Sequence, residues 1–186
     1  MSYGAPRLFI AGLGNLPFPS TRHSVGQLIV DALAARFGIQ LSRDRRGFTG
    51  SGYVIVGKTP VSLTLFKSRD LMNISGRSVV TAYRQAASSP DAMIVLYDSL
   101  GHKPMKLSAR LGGSAAGHNG VKSVVAALGG EANFWQFRAG IGREGQGDPS
   151  SYVLSPLPSE EIAFWKQQGL ELVIREIEKV AKQLPE

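Results

Sequence analysis

The segment Leu8-Phe9-Ile10-Ala11-Gly12-Leu13-Gly14-Asn15 opens with an apolar run and ends in a polar, glycine-rich turn. An apolar run bounded in this way is typical of a buried β-strand that stops at a loop. Apolar residues then recur at helical spacing from Val25 to Phe37, and Gly38 supplies a C-terminal stop. The chain therefore begins with a strand followed by a helix, a pairing typical of α/β folds.

The rest of the chain continues this alternation of strands and helices. Further predicted strands comprise a hairpin around residues 57–60, an apolar run at 92–97 that ends at Asp98, and segments 107–111 and 135–141. Predicted helices cover 75–87, 121–128 and 158–184, with Gly169 as a candidate break in the last. We predict one domain over residues 1–186, an α/β fold of three layers (α/β/α) with a mixed, mostly parallel central sheet. The polar stretch 143–151 is either a mobile loop or a plain connector.

Composition limits both the chemistry and the partners of this chain of 186 residues. It contains no cysteine, which excludes disulfides, a cysteine nucleophile and cysteine-ligated metal centres. Residues 1–150 carry 17 basic and 8 acidic side chains, a charge of +9, whereas residues 151–186 carry 4 and 6, a charge of −2. The basic part suggests a polyanionic partner such as nucleic acid, or serves solubility alone. We expect no secretory signal and no membrane segment, because no apolar run approaches the ~20 residues of a span.

Three short glycine motifs match known patterns but lack the context that those patterns require. Residues 52–59 fit the written P-loop, yet β-forming residues fill the loop and Pro60 follows. Residues 140–145 fit the dinucleotide fingerprint, yet no helix pattern follows to receive a pyrophosphate. Residues 112–116 resemble a nucleophile elbow, yet no helix-forming pattern directly follows Ser114. The sequence therefore disfavours an ATPase, a dinucleotide enzyme and a serine hydrolase.

A different set of polar residues remains as candidate chemistry: Asn15, His23, Asn73, Asp98 and Asn119. Asn15 and Asp98 stand at the ends of predicted strands, and in an open α/β sheet the carboxyl ends of strands border one crevice. A histidine with a carboxylate partner can act as a general base, and without a cysteine or serine nucleophile the attacking group would be water. Asparagine amides can stabilise an oxyanion. Structural roles stay open here, because a histidine can cap a helix and asparagines beside glycines often form turns.

Seven separate blocks of sequence resemble one known family, and the match covers nearly the whole chain. The blocks lie at residues 12–15, 21–26, 71–76, 98, 117–120, 137–143 and 152–154. In this order they resemble the bacterial-type peptidyl-tRNA hydrolase (Pth) family. Several separated blocks in sequence are far more specific than any one short pattern. The resemblance implies an α/β enzyme that cleaves the ester joining a peptide to the terminal ribose of tRNA and that uses no metal or other cofactor.

The resemblance also implies a role for each matching residue. His23 matches the family's catalytic histidine, Asp98 the aspartate that orients it, and Asn119 a residue that helps to place the water. Substrate-binding positions of the family match Asn15, Asn73, Met72 and His118. Arg110 and Arg138 fall where the family clamps the 5′ phosphate of tRNA, which agrees with the basic charge of residues 1–150.

Three segments depart from the bacterial pattern. The segment between Asn15 and His23 is two residues shorter, lacks the usual tyrosine and looks more like eukaryotic members; Phe18 could offer an apolar face for substrate there. The family's usual Asp-Glu-Leu-Asp is Asp98-Ser99-Leu100-Gly101 here, so a second acid is missing. A lysine common after Gly142 is also missing, and it could be compensated by Lys103, Lys106 and Lys122, or these could be ordinary surface charges.

These observations predict hydrolysis of peptidyl-tRNA, which frees tRNA for reuse in translation. One alternative is an RNA-binding module that kept the fold and lost the chemistry, against which the joint presence of His23 and Asp98 argues. Another is an esterase or amidase for a small molecule, which would not need the basic charge. We expect a cytoplasmic monomer with no membrane partner, and a mitochondrial location stays open.

Overall fold

A seven-stranded β-sheet forms the centre of the protein. The computed structural model describes residues 4–143 and 147–186. The strands are β1 (Arg7–Gly12), β2 (Ser42–Arg43), β3 (Gly47–Val56), β4 (Thr59–Ser68), β5 (Met93–Ser99), β6 (Leu107–Leu111) and β7 (Trp135–Gly140). They lie in the order β2-β3-β4-β1-β5-β7-β6.

The sheet is mixed, with a parallel centre. β1 pairs in parallel with β4 and β5, and β5 pairs in parallel with β7. The pairs β2–β3, β3–β4 and β6–β7 are antiparallel, and the hairpin between β3 and β4 turns at Gly57, whose φ is 62°. Five of the seven described strands therefore run in one direction, which confirms the predicted mixed, mostly parallel sheet.

Helices cover both faces of this sheet. They are α1 (Val25–Phe37), α2 (Gly76–Ala86), α3 (Asn119–Ala127), α4 (Pro149–Val153), α5 (Ser159–Lys166) and α6 (Gln168–Gln183). On one face, Phe9 of β1 packs against Tyr83 of α2, with ring centroids 6.2 Å apart. On the other, a Cβ at Gly12 would lie 2.7 Å from Val30 of α1. Because successive residues of a strand alternate between faces, these contacts confirm the three-layer arrangement.

The parallel strands at the centre are buried because their sequences are nearly continuous apolar runs. Leu8 to Ala11 in β1 and Met93 to Leu96 in β5 are all inaccessible to solvent. The last helix, α6, also buries apolar residues, among them Val173, Ile177 and Val180. Among the described residues, no helix is both long and apolar enough to cross a bilayer.

The C-terminal helical region differs from its prediction in where it breaks. The chain leaves helical geometry at Gln167 (φ −125°, ψ −94°), between α5 and α6, while Gly169 lies within the first turn of α6. A Cβ at Gly169 would lie 2.6 Å from the ring of Phe164, so this glycine serves the close packing of the two helices.

The stretch 143–151 and the short strand β2 also differ from the sequence-based expectations. Residues 144–146 lie outside the described residues, and with them part of the predicted loop and the end of the 140–145 glycine motif. The C-terminal part of that stretch is helical in α4, because Asp148 accepts a hydrogen bond from the amide of Ser150 and Pro149 occupies the first helical position. The two-residue strand β2 was not predicted, since it is too short to show a periodic pattern.

Candidate active site

The candidate catalytic residues meet at the carboxyl ends of β1 and β5. Asn15 lies three residues after β1, and Asp98 is the penultimate residue of β5. His23 lies in a single 3-10 turn that leads into α1. Gly26 lets this turn approach the sheet, because a Cβ there would lie 2.2 Å from a backbone carbonyl oxygen of β5. The connection between β1 and α1 therefore brings His23 to Asp98.

The carboxylate of Asp98 is buried and accepts one hydrogen bond on each oxygen. Its Oδ2 lies 2.8 Å from Nδ1 of His23, and its Oδ1 lies 2.8 Å from Nε2 of His118. Burial raises the pKa of Asp98, but the charge and hydrogen bonds of His118 and His23 outweigh burial and bring the pKa to about 2. Asp98 is therefore ionised at neutral pH and can only accept hydrogen bonds.

This carboxylate sets the proton position on His23. Because Oδ2 of Asp98 accepts, the proton of a neutral His23 imidazole lies on Nδ1 and Nε2 keeps its lone pair. The His23 side chain is 16 % exposed, and it lines a crevice at the edge of the sheet. The free nitrogen is thus available to accept a proton within that crevice.

The second histidine, His118, is fixed from both sides. It is the N-cap of α3, where its Nδ1 accepts hydrogen bonds from the amides of Gly120 (3.1 Å) and Val121 (3.3 Å). Since Nδ1 accepts, the ring proton lies on Nε2, which donates to Asp98. The ring of His118 also contacts the ring of Tyr97 edge-on, at 4.8 Å between centroids. His118 therefore holds the carboxylate in place from the side opposite to His23.

The buried amide of Asn15 is also oriented by the backbone. Its Oδ1 accepts a hydrogen bond of 2.7 Å from the amide of Met72, and its own backbone amide donates to Oγ of Ser24 at 2.9 Å. Because the oxygen is occupied, the NH₂ group of Asn15 is left to donate to another acceptor. Met72 is buried against Gly120, where a Cβ would lie 2.4 Å from its sulfur.

A crevice of about 430 Å³ gathers part of the predicted set. The predicted site residues that line it are His23, Asp98, His118, Asn119 and Arg138. The other five do not line it: Asn15 and Met72 are buried, Asn73 is exposed in a 3-10 turn before α2, Phe18 is 54 % exposed, and Arg110 lies on β6. The structure thus brings the histidines, Asp98 and Asn119 to one cavity and leaves Phe18 at the surface.

The comparisons with known proteins agree with this geometry. A family model described as peptidyl-tRNA hydrolase matches residues 9–186. The chain belongs to the peptidyl-tRNA hydrolase family. The bacterial-type resemblance inferred from the sequence blocks is confirmed.

Individual members of the family match over most of their length. A peptidyl-tRNA hydrolase of Symbiobacterium thermophilum is 42% identical over 159 residues, which cover 83% of this chain and 82% of that protein. One from Geobacillus thermodenitrificans is 38% identical over 173 residues, covering 91% and 88%. The crystal structure of peptidyl-tRNA hydrolase from Acinetobacter baumannii has a TM-score of 0.79 and 29% identity, covering 98% of this chain and 96% of that one.

Two neighbouring arginines beside the crevice have no acidic side chain paired with them among the described residues. Arg110 on β6 and Arg138 on β7 lie on adjacent strands, and burial, together with the charge of Arg110, lowers the pKa of Arg138. Arg138 donates to Oγ of Ser108 at 2.7 Å, and Arg110 donates to the carbonyl of Ser114 at 2.7 Å. In the described part of the chain neither has an ion pair, and each keeps a buried Nε without a hydrogen-bond partner. Such a pair is suited to a phosphate.

His23, Asp98 and His118 also form the cluster of side chains that most resembles a metal site. Their potential ligand atoms lie within 4.8 Å of one another. However, both oxygens of Asp98 accept hydrogen bonds, and the Nε2 of His118 carries a proton instead of a lone pair. This donor set fits a hydrogen-bonded relay better than the coordination of a cation.

Several hydrogen bonds among the crevice residues were not predicted from the sequence. The bond between His118 and Asp98 joins the start of α3 to the end of β5, 20 positions apart, so no local sequence pattern indicates it. Ser99 and His102 also line the crevice, with Oγ and Nδ1 2.7 Å apart. Burial lowers the pKa of His102, and the charges of Arg138 and Arg110 lower it further. The position of His102, four residues after Asp98, was the sequence signal that could have indicated its contact with Ser99.

Proposed function

We propose that the protein hydrolyses the ester bond between the peptide and the terminal ribose of peptidyl-tRNA, with water as the nucleophile. The observation that carries the proposal is the hydrogen bond from His23 to the buried Asp98, in a crevice of a chain that belongs to the peptidyl-tRNA hydrolase family. A binding module would have no use for a histidine that is hydrogen-bonded to a buried carboxylate and lines a cavity.

The reaction begins with proton transfer to His23. Its Nε2 removes a proton from a water molecule, the resulting hydroxide attacks the ester carbonyl carbon, and a tetrahedral oxyanion forms. Asp98 stabilises the imidazolium that this transfer creates. The bond to the ribose oxygen then breaks, and His23 returns its proton to that oxygen. The products are a peptide with a free carboxylic acid and a tRNA with a free ribose hydroxyl.

The neighbouring amides serve the acyl group and the water. The NH₂ group of Asn15, whose oxygen is held by the backbone of Met72, donates to the peptide carbonyl or to the oxyanion. Asn119, in the crevice at the start of α3, positions the water. Asn73 and Phe18 contact more distant parts of the peptide. His118 lines the crevice and also keeps Asp98 aligned with His23.

The tRNA is held mainly through its phosphates. Arg110 and Arg138 bind the 5′ phosphate, because they are adjacent cations with unsatisfied donors and no carboxylate partner among the described residues. Such contacts supply affinity with little reading of base sequence. We further propose that the protein acts as a single-domain monomer in the cytoplasm or, alternatively, in mitochondria. Sedimentation at micromolar concentration and fractionation of the source cells test these two statements.

A hydrolysis assay tests the proposal and separates it from its rivals. The purified protein is incubated with an N-blocked peptidyl-tRNA, the matching aminoacyl-tRNA and a small acyl ester of the same amino acid. We expect rapid release of tRNA from the first substrate, at least tenfold slower release from the second, and no acceleration with the third. Binding of tRNA without release would instead indicate an RNA-binding module. Fast cleavage of the small ester, insensitive to salt, would indicate a small-molecule esterase.

A further inference from the structure

A fully buried glutamine joins Arg110 to Tyr97, a residue of the crevice wall. Gln136 is on β7, two residues before Arg138, and its side chain is inaccessible to solvent. Its Oε1 accepts hydrogen bonds from Oη of Tyr97 (2.7 Å) and from Nη2 of Arg110 (3.2 Å). Its Nε2 donates to the carbonyl of Gly113 at 3.2 Å. One amide therefore joins three neighbouring segments, namely β5, β6 and the loop after β6.

Burying an amide side chain costs free energy unless its polar atoms are hydrogen-bonded. Side chains of a strand alternate between its two faces, so Gln136 shares its face of β7 with Arg138 and not with Phe137. All of its hydrogen-bond partners belong to the site or lie beside it: Tyr97, Arg110 and the carbonyl of Gly113. Burial raises the pKa of Tyr97 to about 12, so its hydroxyl stays protonated and keeps donating to Gln136.

Arg110 depends on this amide for its orientation. Apart from Gln136, its guanidinium has one other hydrogen-bond acceptor among the described residues, the carbonyl of Ser114. A long side chain held at a single point keeps much of its rotational freedom, and ordering it costs affinity when a ligand binds. Two acceptors, from different segments, fix the plane of the guanidinium before the phosphate arrives.

We propose that Gln136 is a positioning residue that pre-orients Arg110 for the tRNA phosphate. Tyr97 in turn holds Gln136, because its hydroxyl donates to the same oxygen that accepts from Arg110. This inference rests on the proposed function of Arg110, and it adds a residue that touches neither the phosphate nor the reacting ester.

A double-mutant cycle tests the role of Gln136. Gln136→Met keeps the side-chain length and removes both polar atoms. We expect it to raise KM for peptidyl-tRNA about five- to tenfold and to leave kcat within about twofold, since a hydrogen bond to a charged group is worth roughly tenfold in affinity. Arg110→Ala should raise KM by at least as much. In the Arg110→Ala background, Gln136→Met should change KM less than about twofold, because it acts through the missing arginine.

The outcomes of the cycle separate this inference from the proposed function. If KM of Gln136→Met equals that of the wild type, or if the two changes multiply in the double variant, Gln136 does not position Arg110. Either result leaves the proposed function intact as long as the wild type hydrolyses peptidyl-tRNA and Arg110→Ala raises its KM. If the wild type shows no hydrolysis, it is the proposed function that fails.

A second variant covers the case in which Gln136→Met does not fold. Gln136→Glu keeps an acceptor for Tyr97 and Arg110, but its negative charge pairs with the arginine and competes with phosphate. We expect weaker binding of deacylated tRNA, with the slope of log affinity against log salt reduced by about one unit. Gln183→Glu, at the exposed end of α6, adds the same charge and should leave that slope unchanged. Equal slopes for both variants would overturn the role of Gln136.

Discussion

Nδ1 of His23 lies 2.8 Å from Oδ2 of Asp98, and this bond determines which nitrogen of the imidazole faces the crevice unprotonated. The carboxylate is ionised because His118 and His23 together bring its pKa to about 2 despite its burial. An anion at this position does two things: it selects the tautomer that can accept a proton from water, and it stabilises the imidazolium that results.

Replacing Asp98 by asparagine tests the tautomer. The amide group of the substituted side chain can donate to Nδ1 of His23, which would move the imidazole proton to Nε2 and remove the base. We expect Asp98→Asn to lower kcat about 10³-fold with little change in KM. Single-turnover hydrolysis of peptidyl-tRNA measures this, with circular dichroism as the check that the variant is folded. A kcat within fivefold of the wild type would show that the carboxylate does not select the tautomer.

Two substitutions of His118 separate its role as the N-cap of α3 from its role in positioning Asp98. His118→Ala removes the cap of α3 and the donor to Asp98, so we expect a loss of about 1 kcal/mol in the free energy of unfolding. Asparagine is a favoured N-cap but is too short to reach Asp98, so His118→Asn should stay within about 0.5 kcal/mol of the wild type. Both should lower kcat about tenfold, the value of one hydrogen bond to a charged group. Normal turnover by His118→Asn would contradict this positioning role.

The acid stability of the protein should report on Asp98. Its folded pKa of about 2 is below the ordinary 3.8, so the folded state binds this proton more weakly than the unfolded chain does. The resulting stabilisation is fully present above about pH 4 and is lost as the pH falls through about 2. Urea unfolding between pH 2 and 6 should show a steeper acid loss for the wild type than for Asp98→Asn. Parallel curves would mean that Asp98 makes no such contribution.

The loop before His118 contains backbone strain that two substitutions can measure. Ala116 and Gly117 both have positive φ, at 49° and 83°, and space within 4 Å of a Cβ on Gly117 is empty. We expect Gly117→Ala to destabilise the protein by about 1 kcal/mol through backbone strain alone. Ala116→Gly should be neutral or stabilising by up to about 1 kcal/mol, since relief of strain competes with the entropy of glycine. Thermal unfolding of both variants measures the difference, and destabilisation by Ala116→Gly would contradict the strain.

The sequence predicts best where local pattern and burial coincide. The apolar run before Asn15, the helical spacing after Val25 and the stop at Gly38 predict β1 and α1 almost to the residue, because each signal is local. The break at Gln167 was not predictable in the same way. It is accompanied by the close packing of Gly169 against Phe164, a contact made only once both helices have formed.

Members of the candidate site could be predicted one by one from the sequence, but the hydrogen bonds that join them could not. His23, Asp98 and Asn119 stand in recognisable blocks, and the structure brings them to one crevice. Gln136, by contrast, is a polar residue on the same strand as Arg138, and its role depends on neighbours from β5 and β6 that only the strand order supplies. Long-range hydrogen bonds of this kind leave no periodic signal in a sequence.

The most direct measurement is the single-turnover rate of peptidyl-tRNA hydrolysis by His23→Ala beside the wild type. If Nε2 of His23 is the base that activates water, the variant should still bind tRNA with unchanged affinity and salt dependence but should hydrolyse the ester at least 10³-fold more slowly. A folded His23→Ala variant that turns over within about fivefold of the wild type would contradict the assignment of His23 as the base.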